Sequence, residues 1–139
     1  MKIAVFYENK IEETEHIAQF LVYQVGINGN EVKLFKIGES NPSDTLNFNS
    51  EVILIVTPSH DCKWPCYFGK TATYVKKLGK LIKKGAYSAI KKIGVFNCNE
   101  PVNYGCKIKD KIRKAFPNVK TYFFPSLQTN YYQIFKDDL

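Results

Sequence analysis

Four carboxylates crowd into eight residues near the start of the chain: Glu8, Glu12, Glu13 and Glu15, within Glu8-Asn9-Lys10-Ile11-Glu12-Glu13-Thr14-Glu15. They follow a short apolar run, Ile3-Ala4-Val5-Phe6-Tyr7, and lead into an amphipathic segment starting near Thr14. Strand, tight loop and helix in that order aim backbone N–H groups at an anion, and a phosphate is the usual guest. A phosphate here would meet Glu12 and Glu13 at close range, where like charges repel unless one is neutralised. The same carboxylates complement a helix N-terminus, by roughly 0.3–1 kcal/mol each. The first loop is thus a phosphate-binding frame with a negatively charged seat.

Two further stretches carry side chains able to do chemistry. Thr57-Pro58-Ser59-His60-Asp61-Cys62-Lys63-Trp64-Pro65-Cys66-Tyr67 holds the only tryptophan. Asn97-Cys98-Asn99-Glu100-Pro101-Val102-Asn103-Tyr104-Gly105 holds a second aromatic among polar groups. All four cysteines, Cys62, Cys66, Cys98 and Cys106, fall in or beside these stretches. Their spacing, Cys62-x3-Cys66 and Cys98-x7-Cys106, is not a standard zinc or iron–sulfur pattern, so incidental thiols are expected. A loop-stabilising hydrogen bond is the expected role of His60, and His16 is expected to be solvated.

The elements that would position these groups alternate in type. Ile3–Tyr7 reads as a strand, and Ile17, Ala18, Phe20, Leu21 and Val25 fall at helical spacing up to Gly26. Asn28-Gly29-Asn30 makes a turn, and Val32, Leu34 and Ile37 suggest a half-buried strand. Residues 38–50 are too broken by Pro42 and Asn/Ser for a long helix. Val52-Ile53-Leu54-Ile55-Val56 is a continuous apolar run, the mark of a strand covered on both faces. A helix is expected from near Pro65, a residue suited to a first helical position, to a stop at Gly85. Ile93–Phe96 reads as a strand, Ile108, Ile112 and Ala115/Phe116 as a short helix before Pro117, and Val119–Phe124 as the last strand. Gln128–Leu139 has room for one short helix. The order predicts an α/β fold: a three-layer α-β-α sandwich with a five-stranded, parallel, doubly wound sheet. Ligands of such sheets sit beyond the carboxyl ends of the strands, which selects the loops 8–14, 57–66 and 97–105.

Composition narrows the function classes. The 139 residues are 45% hydrophobic and 24% charged, which suits one globular domain spanning 1–139 with a core of its own. No apolar run approaches the roughly 18 residues that span a bilayer, and no signal peptide is read at the N-terminus. A cytoplasmic protein with reduced cysteines is the expectation. Charge is uneven: 4 basic and 9 acidic residues up to Cys62, then 16 basic and 4 acidic. Nearly all the basic residues are lysines, with Arg113 the single arginine. Lysine lacks the planar fork used to read bases, so no sequence-specific nucleic-acid recognition is expected. A receiver domain would need an acidic pair right after the first strand and an Asp ending the third. A phosphatase of this topology would need a cysteine-containing anion loop with arginine near the start. Neither pattern is present.

With these loops in view, the chain resembles short-chain flavodoxins over nearly its whole length. That family opens with an apolar strand and a Ser/Thr-x-Thr-Gly-Asn-Thr loop running into a helix. The matching positions here are Asn9-Lys10-Ile11-Glu12-Glu13-Thr14, so only Thr14 keeps its type. Ile11 stands for a hydroxyl, Glu12 for the glycine and Glu13 for the asparagine. The Thr57-Pro58 pair and the Pro65 helix start are closer matches. The resemblance implies the flavodoxin strand order 2-1-3-4-5 and bound FMN, used for electron transfer or flavin-dependent reduction. It assigns Asn9, Lys10 and Thr14 to the phosphate, and Thr57, Pro58, Ser59 and Trp64 to one side of the ring. Asn97, Asn99, Tyr104 and Gly105 fall to the pyrimidine edge and the other ring face. No side chain is expected to be catalytic and no metal is expected, because the flavin carries the chemistry. An acidic redox partner would suit the lysines, although flavodoxins are usually acidic themselves. The alternative is a flavin-free interaction module that works through the basic C-terminal half.

Overall fold

A computed structural model describes residues 1–8, 12–56, 69–83, 89–96 and 112–124. Five strands form one parallel sheet in the order β2-β1-β3-β4-β5. The strands are β1 (Lys2–Glu8), β2 (Glu31–Ile37), β3 (Val52–Val56), β4 (Lys92–Phe96) and β5 (Lys120–Phe124). The expected three-layer sandwich and strand order are both present. Ile3, Val5, Val52, Leu54 and Ala4, Phe6, Ile53, Ile55 are all buried, so β1 and β3 are covered on both faces. This is why their sequences are unbroken apolar runs rather than alternations.

On one face lies α1 (Glu12–Gly26), whose Ala18, Leu21 and Val25 pack on Ile3, Val5, Tyr7, Leu54 and Val56. On the other lie α2 (Pro42–Phe48), α3 (Gly69–Lys83) and a helical turn at residues 112–115. Here Tyr74, Val75, Leu78, Ile112 and Phe116 cover Phe6, Ile53, Ile55 and Val95. Phe6 is fully buried with Phe35 and Tyr74 rings edge-on at 6.1 and 5.2 Å. Burying such a side chain stabilises the fold by roughly 1.5–3 kcal/mol.

Three sequence expectations shift. The first helix starts at Glu12 rather than near Thr14, which puts Glu12, Glu13 and Thr14 in its first turn. β2 does not bury one face only: Phe35 and Ile37 join the α3-side core while Val32 and Leu34 pack on the α1 side. The broken stretch 38–50 contains a seven-residue helix, with Pro42 in its first turn and the Asp44 carboxylate accepting from the Asn41 N–H at 3.1 Å. The predicted start near Pro65, the stop at Gly85 and the closing helix lie outside the described residues.

Candidate functional site

The strand ends fix where a site can be. Register places Tyr7 beside Val56, Val56 beside Phe96 and Phe96 beside Phe124. The segments that follow β1, β3, β4 and β5 therefore all leave from one edge of the sheet. Of the predicted contacts, Thr14 lies on α1. Asn9, Lys10, Thr57, Pro58, Ser59, Trp64, Asn97, Asn99, Tyr104 and Gly105 lie outside the described residues, in the segments issuing from that edge. His60 and the four cysteines also lie outside them. Among the described residues no group of three or more His, Cys, Asp or Glu could hold a metal ion.

At the β1–α1 junction the local chemistry is well defined. Thr14 is buried, and its Oγ1 donates to the Glu8 carbonyl at 2.9 Å. That bond ties the first helical turn back to the strand end. A phosphate oxygen would have to compete with Glu8 for the same proton. The Glu8 side chain is fully buried at the same place. Tyr7, 3% exposed, donates its hydroxyl to Glu15 Oε1 at 3.2 Å. Burial, and then the Glu15 carboxylate, push the Tyr7 phenol above its usual value near 10. The helix N-terminus thus offers its positive dipole end, but carboxylates from the chain itself stand at that end.

Sequence reasoning placed the carboxylates here but missed how they are held. The burial of Glu8 and the Tyr7–Glu15 bond need the strand and helix to be docked before they exist. The only advance signal was a tyrosine and a glutamate flanking the loop. A second buried polar link, Thr45 Oγ1 to the Tyr74 hydroxyl at 2.7 Å, joins α2 to α3 and was likewise not anticipated. Tyr74 also donates to the Asn41 carbonyl at 3.3 Å.

A concavity of about 740 Å³ opens at the opposite edge of the sheet and is lined by Met1, Lys2, Glu31, Glu51 and Lys91 among others. It is wide and shallow, with charges of both signs, including Lys91 and Glu51 at 4.0 Å. Nothing there converges on a reacting atom, and the strand polarity favours the other edge.

No protein-family model matches the sequence, and no curated protein matches it. Solved structures do. A two-electron reduced flavodoxin from Megasphaera elsdenii is 16% identical, with a TM-score of 0.61 over 95% of this chain and 92% of that one. A flavodoxin variant from Pseudomonas aeruginosa is 13% identical, with a TM-score of 0.60 over 98% and 91%. A Streptococcus pneumoniae TIGR4 flavodoxin is 14% identical, with a TM-score of 0.59 over 91% and 84%. The chain has a flavodoxin-like fold. No helix among the described residues is long and apolar enough to cross a membrane.

Proposed function

We propose that the chain binds FMN non-covalently and serves electron transfer or flavin-dependent reduction in the cytoplasm. The observation that carries this reading is the shared origin of the loops: the strands before 9–11, 57–68 and 97–111 end side by side on one edge of a β2-β1-β3-β4-β5 sheet. When bound, the flavin supplies the redox chemistry, and the chain supplies stacking, hydrogen bonds and local charge.

The two ends of the cofactor fare differently. Trp64 and Tyr104 have the chemistry to stack on a flat ring, worth about 1 kcal/mol beyond area burial. At the phosphate end the positive end of the α1 dipole would favour an anion, but buried Glu8, the Glu15 carboxylate and the bonded Thr14 hydroxyl would oppose a dianion. On this reading the side-chain chemistry favours the ring over the phosphate. Fluorescence titration with FMN and with riboflavin, followed by gel filtration and a visible spectrum, tests the reading. A retained flavin spectrum is expected, with riboflavin binding at least as well as FMN. A colourless protein that quenches neither flavin would remove the electron-carrier reading.

The carboxylates at the phosphate end favour a second reading, a flavin-free interaction module that uses its basic surface. Under the first reading that surface would serve an acidic redox partner.

A further inference from the structure

Helix α3 carries Lys70, Lys76, Lys77, Lys80 and Lys83 and has no acidic residue in its fifteen positions. At about 100° per residue these lysines share an arc of about 140°. For the three central lysines the structure bears the pattern out: Lys76, Lys77 and Lys80 are exposed with Thr73, while Tyr74, Val75 and Leu78 are buried. Lys76 and Lys80 are four residues apart, and Lys77 and Lys80 three. Like charges at those spacings destabilise a helix. Among the described residues Lys76, Lys77 and Lys80 have no carboxylate partner, whereas Lys36 pairs with Glu39 at 3.3 Å.

A second helical segment extends this surface. A Cβ at Gly79 would lie 2.8 Å from the Ala115 Cβ and 3.1 Å from its Cα, so α3 and residues 112–115 meet backbone to backbone. Arg113 and Lys114, just before Ala115, are both exposed. The close approach places this helical turn, with the exposed Lys114 next to Ala115, against α3 on the same side of the sheet.

We infer that this two-helix lysine face is a docking surface for a partner protein presenting clustered carboxylates. Charge complementarity is the first argument, since like charges gathered on one face are relieved by an anionic surface laid across them. The partner is a protein rather than a nucleic acid for two reasons. The exposed residues of α3 include no aromatic for bases to stack on. The chain's single arginine leaves almost no bidentate contact to phosphate. A second copy of the chain carries the same net charge of +7, so two copies repel at long range even though each has an acidic first half. The inference rests on the functional reading above only in taking the partner for a redox protein; the docking chemistry stands without flavin.

The test measures binding of the full chain to poly-L-glutamate and to duplex DNA at low and moderate salt, with no flavin present. The wild type should bind poly-L-glutamate and lose affinity as salt rises. Lys76→Glu/Lys77→Glu/Lys80→Glu should weaken that binding about tenfold or more, and the corresponding triple glutamine variant severalfold. Lys33→Glu/Lys36→Glu/Lys91→Glu makes the same change in net charge elsewhere on the surface and should weaken it much less. Thermal unfolding confirms that each variant folds. Equal loss in the two glutamate variants would show that net charge alone matters and would overturn the inference. So would absence of poly-L-glutamate binding, or binding to DNA alone. Because no flavin enters the experiment, its failure leaves the flavin reading intact, and a colourless protein leaves this one intact.

Discussion

The two faces of the sheet are covered by helices of equal length and opposite charge. α1 has Glu12, Glu13 and Glu15 in its first turns and no lysine or arginine. α3 has five lysines and no carboxylate. Helix dipoles account for one pattern better than the other. The glutamates sit at the positive end of α1, where each stabilises the helix by roughly 0.3–1 kcal/mol. Lys80 and Lys83 are likewise well placed near the negative end of α3. Lys76 and Lys77 lie mid-helix, where the dipole offers little, and Lys76 crowds Lys80. The acids of α1 have a structural reason to be present, and under the flavin reading the same charges would oppose a phosphate. The lysines of α3 exceed what the helix requires, and the proposed docking surface would account for that excess.

The comparison assumes that both faces belong to one cooperative unit, and the largest expected effect tests this. Phe6→Ala removes a ring buried between Phe35 and Tyr74 on the α3 side. It should cost about 3–5 kcal/mol, a large share of a small domain's stability. Denaturant unfolding followed by far-UV circular dichroism and by fluorescence should still show a single transition at a lower midpoint. Two separated transitions would mean that the faces melt independently, and the contrast would then be between two units.

Gly79→Ala comes next and probes the α3 seam alone. Alanine gains up to about 1 kcal/mol in helix propensity over glycine. Against that, the new Cβ meets Ala115 side chain and backbone at 2.8–3.2 Å, and overpacking of that kind costs about 1–3 kcal/mol. Backbone cannot swing aside, so net destabilisation of about 1–2 kcal/mol is expected from the midpoint shift. A stabilised variant would show the seam to be loose and would separate Arg113 and Lys114 from the lysine face.

Most of the fold was legible because parallel strands write themselves as unbroken apolar runs and the helices as offset stripes. Val52–Val56 and the Ile17–Val25 stripe needed no tertiary information. Where legibility failed, the cause was context. Thr14 looks like the surviving member of a phosphate loop, yet its hydroxyl serves the Glu8 carbonyl, a bond that forms only when helix meets strand. Lys92 falls outside the apolar Ile93–Phe96 run, yet it is buried at the start of β4. Thr45 and Tyr74 are 29 residues apart, and no local pattern links their hydroxyls. For the site, the edge was legible because topology alone selects it. The contacts themselves lie mostly outside the described residues.

On the α1 side the sharpest separation of structure from ligand binding is Thr14→Val. It keeps the shape and removes the bond to Glu8, leaving a buried carbonyl short of one donor. A loss of about 1 kcal/mol is expected in thermal unfolding, within the usual range for such bonds. If the hydroxyl is structural, FMN affinity should follow stability and not fall on its own. A large drop in FMN affinity with riboflavin binding unchanged would show the hydroxyl turning to phosphate, and the phosphate seat would be better than its charges suggest.

Glu15→Gln has the smallest expected effect and bears most directly on charge. Glutamine can still accept from the Tyr7 hydroxyl, so the contact persists while the charge goes. Stability should fall by about 0.3–1 kcal/mol, the dipole contribution, and FMN should bind more tightly as one opposing charge is removed. The alkaline limb gives an independent readout. Tyr7 is raised above its usual value by burial first and Glu15 second, so the folded chain holds this proton more firmly than the unfolded one. That stabilisation is complete below the unfolded phenol's pKa near 10 and is lost as pH climbs through the folded value. Tyr74, raised by burial and by Asp44 against the lowering effect of Thr45, adds to the same limb. In Glu15→Gln the burial contribution remains and the carboxylate's vanishes, so the fall in stability should level off at a lower pH than in the wild type. Tyrosine absorbance and unfolding free energy, measured together above pH 9, would show it. An unchanged alkaline limb would mean that the Glu15 charge is not felt at Tyr7, and the acidic end of α1 would then be a weaker obstacle to phosphate than its composition implies.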